Sequence, residues 1–172
     1  MIIREATLSD AEAIAKVYVD CWKTTYKNIV PDSFLNNLSY DKRKQYWNFN
    51  ISNRENYIFV AVNDKSEIVG FTVGCKEKTG KYKDYLGEVT SLFVLEKYQR
   101  TGIGKELLQN LFVRLNNLQL STVLVWMLEE NNACSFYENL GAKLIDTQTL
   151  DFPKMKLKAI AYGWDEITSI IS

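Results

Sequence analysis

The chain has 172 residues, of which 47% are hydrophobic and 24% charged, and this composition is typical of a globular protein rather than a disordered one. Its 21 Lys and Arg residues balance its 21 Asp and Glu residues, so the basic excess expected of a general nucleic-acid binder is missing. The chain contains no histidine, which excludes catalysis by Ser-His-Asp or Cys-His groups and zinc sites built from Cys and His.

The first third of the chain predicts one strand followed by helices. The short apolar stretch Ile2–Glu5 is typical of a strand. Ser9 and Glu12 have the spacing of a capping box, and apolar residues then recur at helical spacing, so a helix is predicted to begin at Ser9. Two more helices are predicted, one beginning at Pro31 and one over the aromatic segment Tyr40–Ser52.

The rest of the chain alternates strands with two helices. Strands are predicted at residues 57–62, 67–75, 85–95, 121–128, 142–150 and 153–164. A helix is predicted over residues 102–117, with an apolar face formed by Ile103, Leu107, Leu108, Leu111, Phe112 and Leu115. A shorter helix is predicted from about Asn132 to Gly141, where glycine suits the position after a helix end. This order predicts a single domain over residues 1–172, of the α/β class (α+β in some schemes).

The cysteines and the N-terminus indicate in which cellular compartment the protein is expected. Cys21, Cys75 and Cys134 are odd in number and far apart, which argues against a disulfide framework and for a reducing compartment. The N-terminus lacks the basic and apolar regions of a signal peptide, and no stretch reaches the roughly 18 apolar residues of a membrane span. We therefore expect a cytoplasmic protein that does not interact with membranes.

The segment "YQRTGIGKELL", residues 98–108, has two glycines between a predicted strand and a predicted helix. A helix N-terminus attracts anions, and glycines there let a phosphate approach the backbone. The segment lacks the Lys-Ser/Thr of a Walker A loop and the third glycine of a dinucleotide fingerprint. Taken alone, it therefore predicts either an anion-binding loop or an ordinary tight turn into a helix.

Two longer stretches carry a resemblance to a known family. The stretch "EVTSLFVLEKYQRTGIGKELL" contains the pattern Gln/Arg-x-x-Gly-x-Gly/Ala between a strand and a helix, and "LEENNACSFYENLGAKL" follows at a suitable separation. Together they resemble the signature of the GNAT superfamily of N-acetyltransferases. The resemblance implies a central mixed, mostly antiparallel, twisted sheet of about seven strands, flanked by helices and splayed between strands 4 and 5. It also implies acetyl-coenzyme A as cosubstrate and no metal.

The resemblance also implies which residues hold the cosubstrate. The backbone of the strand before the loop would pair with the pantetheine arm, and the backbone of the loop would hold the pyrophosphate. The corresponding residues are Leu92, Phe93 and Val94 in the strand and Gln99, Arg100, Thr101, Gly102, Ile103, Gly104 and Lys105 in the loop. Asn131 matches an asparagine that contacts the cofactor in many members, whereas Asn132 could instead cap the following helix.

The catalytic residues that the resemblance implies are Tyr137 and Glu88. Tyr137 matches a general acid that protonates the departing thiolate, a role that a phenol can fill because its ordinary pKa lies near that of a thiol. Glu88 matches a carboxylate that acts as general base on the amine, directly or through water. The alternatives are that Tyr137 only packs on the sheet and that Glu88 faces solvent or forms an ion pair. Cys134, near a helix start, is expected to be structural rather than a nucleophile.

The acceptor is expected to be a primary amine of a small molecule that attacks directly in a ternary complex. Aromatic residues of the N-terminal helices could line its pocket or could pack those helices onto the sheet; they are Trp22, Tyr26, Tyr40, Tyr46, Trp47 and Phe49. The alternatives are an enzyme that acetylates a protein or peptide, and a module that senses acyl-coenzyme A with little turnover. A homodimer is compatible with the sequence.

Overall fold

The computed structural model describes residues 1–131, 133–152 and 155–171. The strands in these ranges are β1 (Ile2–Glu5), β2 (Tyr57–Val62), β3 (Ile68–Lys76), β4 (Gly87–Val94), β5 (Val123–Leu128), β6 (Lys143–Phe152) and β7 (Met155–Trp164). The helices are α1 (Ala11–Thr25), α2 (Asp32–Asn36), α3 (Tyr40–Ser52), α4 (Ile103–Asn117), α5 (Cys134–Asn139) and α6 (Thr168–Ile171). The predicted order of strands and helices is confirmed, and α6 is an addition to it.

The described strands form a seven-stranded sheet with the order β1-β2-β3-β4-β5-β7-β6. The pair β4 and β5 is parallel, and the remaining neighbours are antiparallel. The predicted class, a mixed and mostly antiparallel sheet flanked by helices, is therefore confirmed.

The start of α1 differs from the predicted capping box. A short 3-10 turn, Leu8–Asp10, precedes the helix, and the Asp10 carboxylate accepts hydrogen bonds from the Thr7 backbone N–H at 2.7 Å and the Thr7 hydroxyl at 3.0 Å. Asp10 also accepts two hydrogen bonds from Arg4, at 2.7 and 2.9 Å. Thr7 and Asp10 therefore replace the predicted Ser9 and Glu12, because the extra 3-10 turn begins at Leu8 and places the capping box two residues nearer the N-terminus.

The two faces of the sheet carry separate apolar cores. On one face, α4 buries the six residues predicted as its apolar stripe: Ile103, Leu107, Leu108, Leu111, Phe112 and Leu115. On the other face, α1 and α3 cover β2 and β3, and the ring of Trp47 meets that of Phe71 at 5.0 Å. Alternate residues of β2 point into each core, as the two-residue period of a strand requires.

The sheet opens between β4 and β5, as predicted. These strands pair only through residues 87–89 and 123–125, although β4 continues to Val94 and β5 to Leu128. The separation begins at a β-bulge, because Ser91 lies opposite Val73 while Val89 lies opposite Gly74, which leaves Thr90 as an extra residue. The β5-facing backbone of residues 90–94 is therefore without a neighbouring strand among the described residues.

Within the described part of the chain, no helix combines the length and the apolar character needed to cross a membrane.

Candidate active site

The gap between β4 and β5 forms the base of a large cleft of about 1010 Å³. The sheet contributes Leu92, Phe93 and Val94 from β4 and residues 125–128 from β5. The end of α1, the start of α4 and the helix α5 contribute further walls, together with residues of β6 and β7. The cleft thus brings together, on one surface, segments that are far apart in the sequence.

The glycine loop lies at the N-terminus of α4 and lines the cleft. Gly102 precedes the helix with φ 92°, a left-handed conformation that favours glycine. The first hydrogen bond of the helix runs from the Glu106 N–H to the Gly102 carbonyl at 3.1 Å. The N–H groups of residues 103–105 precede that bond and are the donors that a helix N-terminus offers to an anion.

The side chains of this loop fall into two groups. Gln99, Arg100 and Lys105 line the cleft, and the Gln99 amide also donates to the Val94 carbonyl at 2.9 Å, which ties the loop to β4. Thr101 donates its hydroxyl to the Tyr98 carbonyl at 2.6 Å, and the Ile103 side chain is buried in the core. Thr101 and Ile103 therefore have only backbone groups to offer, whereas the other three side chains could contact a ligand.

The three predicted strand residues alternate between the faces of the sheet. Leu92 and Val94 pack against the core under α4, whereas Phe93 packs on the opposite face, with its ring 5.3 Å from that of Tyr18. Their side chains are thus used in packing. What they present to the cleft is the free edge of the backbone, the group that the resemblance assigns to pairing with the pantetheine arm.

Tyr137 lies on α5 and lines the same cleft, although it is only 5% exposed. Its ring packs against Phe136, Tyr162 and Trp164, with centroid distances of 5.2, 6.3 and 5.9 Å. Burial raises the pKa of Tyr137, and the neighbouring Tyr26 raises it further. The phenol therefore stays protonated at neutral pH, and its pKa lies above that of a thiol rather than near it.

Glu88 does not line the large cleft. It lies before the bulge of β4, in a second pocket of about 310 Å³ whose walls include Trp47, Asn50 and Lys78. Thr90 and Ser91 line both spaces, so the second pocket adjoins the cleft at the bulge. Burial raises the pKa of Glu88, Glu77 adds to the effect and Lys78 opposes it.

Asn131 lines the cleft, but both ends of its amide are in contact with the protein. Its Nδ2 donates to the hydroxyl of Tyr26 at 3.4 Å, and its Oδ1 accepts from the Ala133 N–H at 3.2 Å. Asn132, the alternative helix cap, lies outside the described residues. Asn131 therefore joins the end of α1 to the start of α5 across the cleft.

The aromatic residues of the N-terminal helices divide between the two spaces. Trp22 and Tyr26 line the large cleft, whereas Tyr46, Trp47 and Phe49 line the second pocket. Tyr40 is in neither, and its hydroxyl donates to Asp20 at 2.8 Å. Tyr26 is one of the six aromatic residues named above, and its sequence pattern does not separate it from the other five.

Two thiols lie near the cleft. Cys21 lines it, but burial raises the pKa of Cys21 to about 12, so this thiol is protonated at neutral pH. Cys134 lies on α5 and directs its Sγ to the Asn131 carbonyl at 3.6 Å. The Cys21 thiol is therefore not in the thiolate form that a nucleophile requires.

Metal ligands are not grouped at this site. Across residues 1–131, 133–152 and 155–171, no three Cys, Asp or Glu side chains lie close enough together to hold an ion.

Comparison with known proteins places these features in a family. The model of the acetyltransferase (GNAT) family matches residues 13–142. The uncharacterized N-acetyltransferase YuaI of Bacillus subtilis is 31% identical over 168 residues, which cover 98% of this chain and 95% of YuaI.

Solved structures share the fold at lower identity. The PaiA N-acetyltransferase of Thermoplasma acidophilum, solved in complex with coenzyme A, is 21% identical, with a TM-score of 0.75 over 95% of this chain and 98% of that one. The ribosomal-protein-alanine N-acetyltransferase of Brucella melitensis is 20% identical, with a TM-score of 0.74 over 95% and 99% of the two chains.

Proposed function

We propose that this chain, which belongs to the GNAT family of acetyltransferases, transfers the acetyl group of acetyl-coenzyme A to a primary amine of a small molecule, with the amine attacking the thioester directly. The observation that carries this proposal is the cleft at the β4–β5 separation, which the glycine loop, the free edge of β4 and Tyr137 all line. A phosphate-bearing end, an extended amide arm and a reacting thioester each need one of these features.

The residues present fit coenzyme A. The N–H groups at the start of α4, with Arg100 and Lys105 beside them, would hold the pyrophosphate. The backbone of residues 92–94 would pair with the amides of the pantetheine arm, as a neighbouring strand would. Asn131 contributes to the wall of the cleft at α5, where its amide is already hydrogen-bonded.

Tyr137 would act as the general acid. Its hydroxyl is protonated because burial raises its pKa, and it lines the cleft without donating a hydrogen bond to the described residues. It can therefore donate to the sulfur of coenzyme A as the carbon–sulfur bond breaks. Because its pKa lies above that of a thiol, the donation stabilises negative charge on sulfur more than it delivers a free proton.

Glu88 would act as the general base from the second pocket. A raised pKa makes its carboxylate a stronger base, and the pocket adjoins the cleft at Thr90 and Ser91. An amine bound there would lose its proton to Glu88, directly or through a water molecule, before it attacks the thioester. Direct attack is favoured over an acetylated cysteine because the Cys21 thiol is protonated.

The size of the second pocket supports a small acceptor. About 310 Å³ lies at the lower end of the range for small-molecule sites, roughly 300–1,000 Å³. Its aromatic rings and asparagine amides suit an amine with a few polar groups. The fold alone does not determine whether the acceptor is a small molecule or a protein, since the Brucella melitensis neighbour with the same fold is a ribosomal-protein-alanine N-acetyltransferase.

The test is to incubate the protein with acetyl-coenzyme A and a panel of polyamines, amino acids, aminoglycosides and peptides, with thiol release and product mass as readouts. Amine-dependent thiol release with small molecules supports the proposal. Preference for peptides would contradict the small-molecule acceptor. Tight cofactor binding without turnover on any amine would instead favour the sensing module. The cytoplasmic location and the homodimer stay predictions.

A further inference from the structure

Tyr26 is the second tyrosine of the cleft and is held at three points. Its backbone N–H donates to the Trp22 carbonyl at 3.1 Å, and its own carbonyl accepts from Ile29 and Val30 at 3.0 and 3.1 Å. Its ring packs on that of Trp22, with a centroid distance of 4.3 Å. The side chain is 7% exposed and lines the cleft, so its position is fixed before any ligand binds.

The hydrogen bond with Asn131 determines what the Tyr26 hydroxyl can do. The Asn131 amide donates to the Tyr26 oxygen at 3.4 Å, so the phenol acts as acceptor in this contact. Its own proton remains free to be donated, and none of the described residues accepts it. A neutral tyrosine with its oxygen occupied in this way can donate a hydrogen bond to a ligand in the cleft that it lines.

Tyr26 and Tyr137 line the same cleft. A negative charge on Tyr26 would raise the pKa of Tyr137. Burial raises the pKa of Tyr26, so this phenol is also neutral at pH 7. The reacting thioester has two atoms that gain negative charge, sulfur and the carbonyl oxygen, and the cleft holds two phenol donors.

We propose that Tyr26 is a further catalytic residue, whose hydroxyl donates a hydrogen bond to the carbonyl oxygen of the thioester. This inference rests on the proposed function and adds a donor to it. When the amine nitrogen bonds to the carbonyl carbon, the carbonyl electron pair moves to oxygen, and Tyr26 stabilises that charge. The carbonyl then re-forms, the carbon–sulfur bond breaks and sulfur receives the hydrogen bond of Tyr137. Tyr26 keeps its proton throughout. Glu88 passes the first proton of the amine to water before the attack, so its carboxylate is free to accept the second proton from the nitrogen once the carbon–nitrogen bond has formed.

Asn131 is then a positioning residue, and two replacements of it are expected to differ in activity. Asn131→Ala removes the amide that occupies the Tyr26 oxygen but leaves the phenol proton free. Asn131→Asp puts a carboxylate in its place, which would accept that proton and turn it away from the cleft. We therefore expect Asn131→Asp to be less active than Asn131→Ala, although aspartate is closer to asparagine in size.

The main experiment uses Tyr26→Phe, with Tyr40→Phe as the matched control. Phenylalanine keeps the ring that packs on Trp22, and Tyr40 lies outside the cleft with its hydroxyl on Asp20. We expect Tyr26→Phe to lower kcat about 100-fold, as expected for loss of one donor to a developing oxyanion, with KM for acetyl-coenzyme A changed by less than about threefold. Tyr40→Phe should leave both constants unchanged.

An infrared measurement separates this role from a structural one and needs no turnover. Acetyl-coenzyme A labelled with carbon-13 at the carbonyl is bound to each protein, and the carbonyl stretch is recorded. A hydrogen bond lowers that frequency, so Tyr26→Phe should raise it relative to the unmodified protein, whereas Tyr137→Phe should not. An unchanged carbonyl band or an unchanged kcat in Tyr26→Phe would overturn the inference. Failure of the unmodified protein to acetylate any amine would contradict the proposed function instead.

Discussion

Gly102 offers the sharpest test of the loop, because the effect of a substitution on backbone conformation can be separated from its effect on cofactor binding. Its φ of 92° disfavours any other residue, yet a Cβ built there meets no atom of the described residues within 4 Å. Substitution therefore strains the backbone without a steric clash. A left-handed conformation costs a non-glycine residue about 1–2 kcal/mol. Since 1 kcal/mol shifts the melting temperature of a domain of this size by roughly 2–4 °C, Gly102→Ala and Gly102→Glu should both melt roughly 2–8 °C lower.

Cofactor binding should distinguish the two Gly102 variants. A glutamate carboxylate at this position would lie beside the N–H groups that are proposed to hold the pyrophosphate. Two like charges about 4 Å apart near a protein surface repel by about 4 kcal/mol at an effective dielectric constant of 20. Even half of this energy exceeds 1.4 kcal/mol, the value of a tenfold change in affinity. We expect Gly102→Glu to weaken coenzyme A binding by roughly 25-fold or more and Gly102→Ala by less than about tenfold.

Gly80 provides the matched control. It also has a left-handed backbone, with φ 66°, a Cβ there likewise meets no described atom within 4 Å, and it lies outside the residues that line the cleft. Gly80→Glu should therefore lower the melting temperature by a similar amount and leave cofactor affinity unchanged. Calorimetric titration with coenzyme A and thermal melts would provide both quantities. Wild-type affinity in folded Gly102→Glu would refute the assignment of the loop.

Three further changes test the acid, the base and the start of α1. Tyr137→Phe should reduce kcat tenfold or more with coenzyme A still bound; unchanged turnover in a steady-state assay would remove the acid role. For a base, kcat/KM rises with pH through the pKa of Glu88, which burial raises, so Glu88→Gln should lower kcat/KM and remove that rise from the pH profile; a profile that keeps it would identify another base. Asp10→Asn should lower the free energy of unfolding at pH 7 by roughly 1 kcal/mol, because Arg4, 42% exposed, is partly screened by solvent. Hydrogen bonds, first from Arg4, lower the pKa of Asp10 to about 2. This stabilisation is therefore present above the ordinary aspartate pKa and lost as pH falls through about 2. Denaturant unfolding of the unmodified protein and Asp10→Asn should differ at pH 7 and not at about pH 2, and an equal difference at the two pH values would contradict the assignment.

The sequence predicted the parts of the fold that local patterns determine. The apolar stripe of α4 could be predicted residue by residue, because a helix on a sheet buries side chains at fixed spacing. The separation of β4 from β5 came from the family resemblance, since a strand pattern does not show where pairing stops. The capping residues of α1 were predicted wrongly, because the 3-10 turn through Asp10 depends on the hydrogen bonds of Arg4, which lies in a different element.

The candidate site was harder to predict because it depends on contacts across the cleft. The resemblance implies that Asn131 contacts the cofactor, and the sequence predicts Tyr26 in an aromatic helical region, but neither brings the two residues together. Their hydrogen bond joins residues 105 positions apart and exists only once α1 and α5 lie on opposite walls. The pKa of Tyr137 likewise follows from the rings packed around it, which belong to β7 as well as to α5.

The bulge at Thr90 separates the part of β4 that carries the proposed base from the part that lines the cleft. Upstream of it, β4 is paired on both edges, and Glu88 lies in a pocket that is separate from the cleft. Downstream, β4 has lost its β5 partner and lines the space that would hold the thioester arm. In the proposed mechanism, an amine would pass from the base to the carbonyl carbon at Thr90 and Ser91, the residues common to both spaces. If transfer follows this path, a bulky residue at Ser91 should raise KM for the amine while cofactor affinity stays near its original value, because the cofactor pairs with the backbone of β4 and the amine needs the space above it.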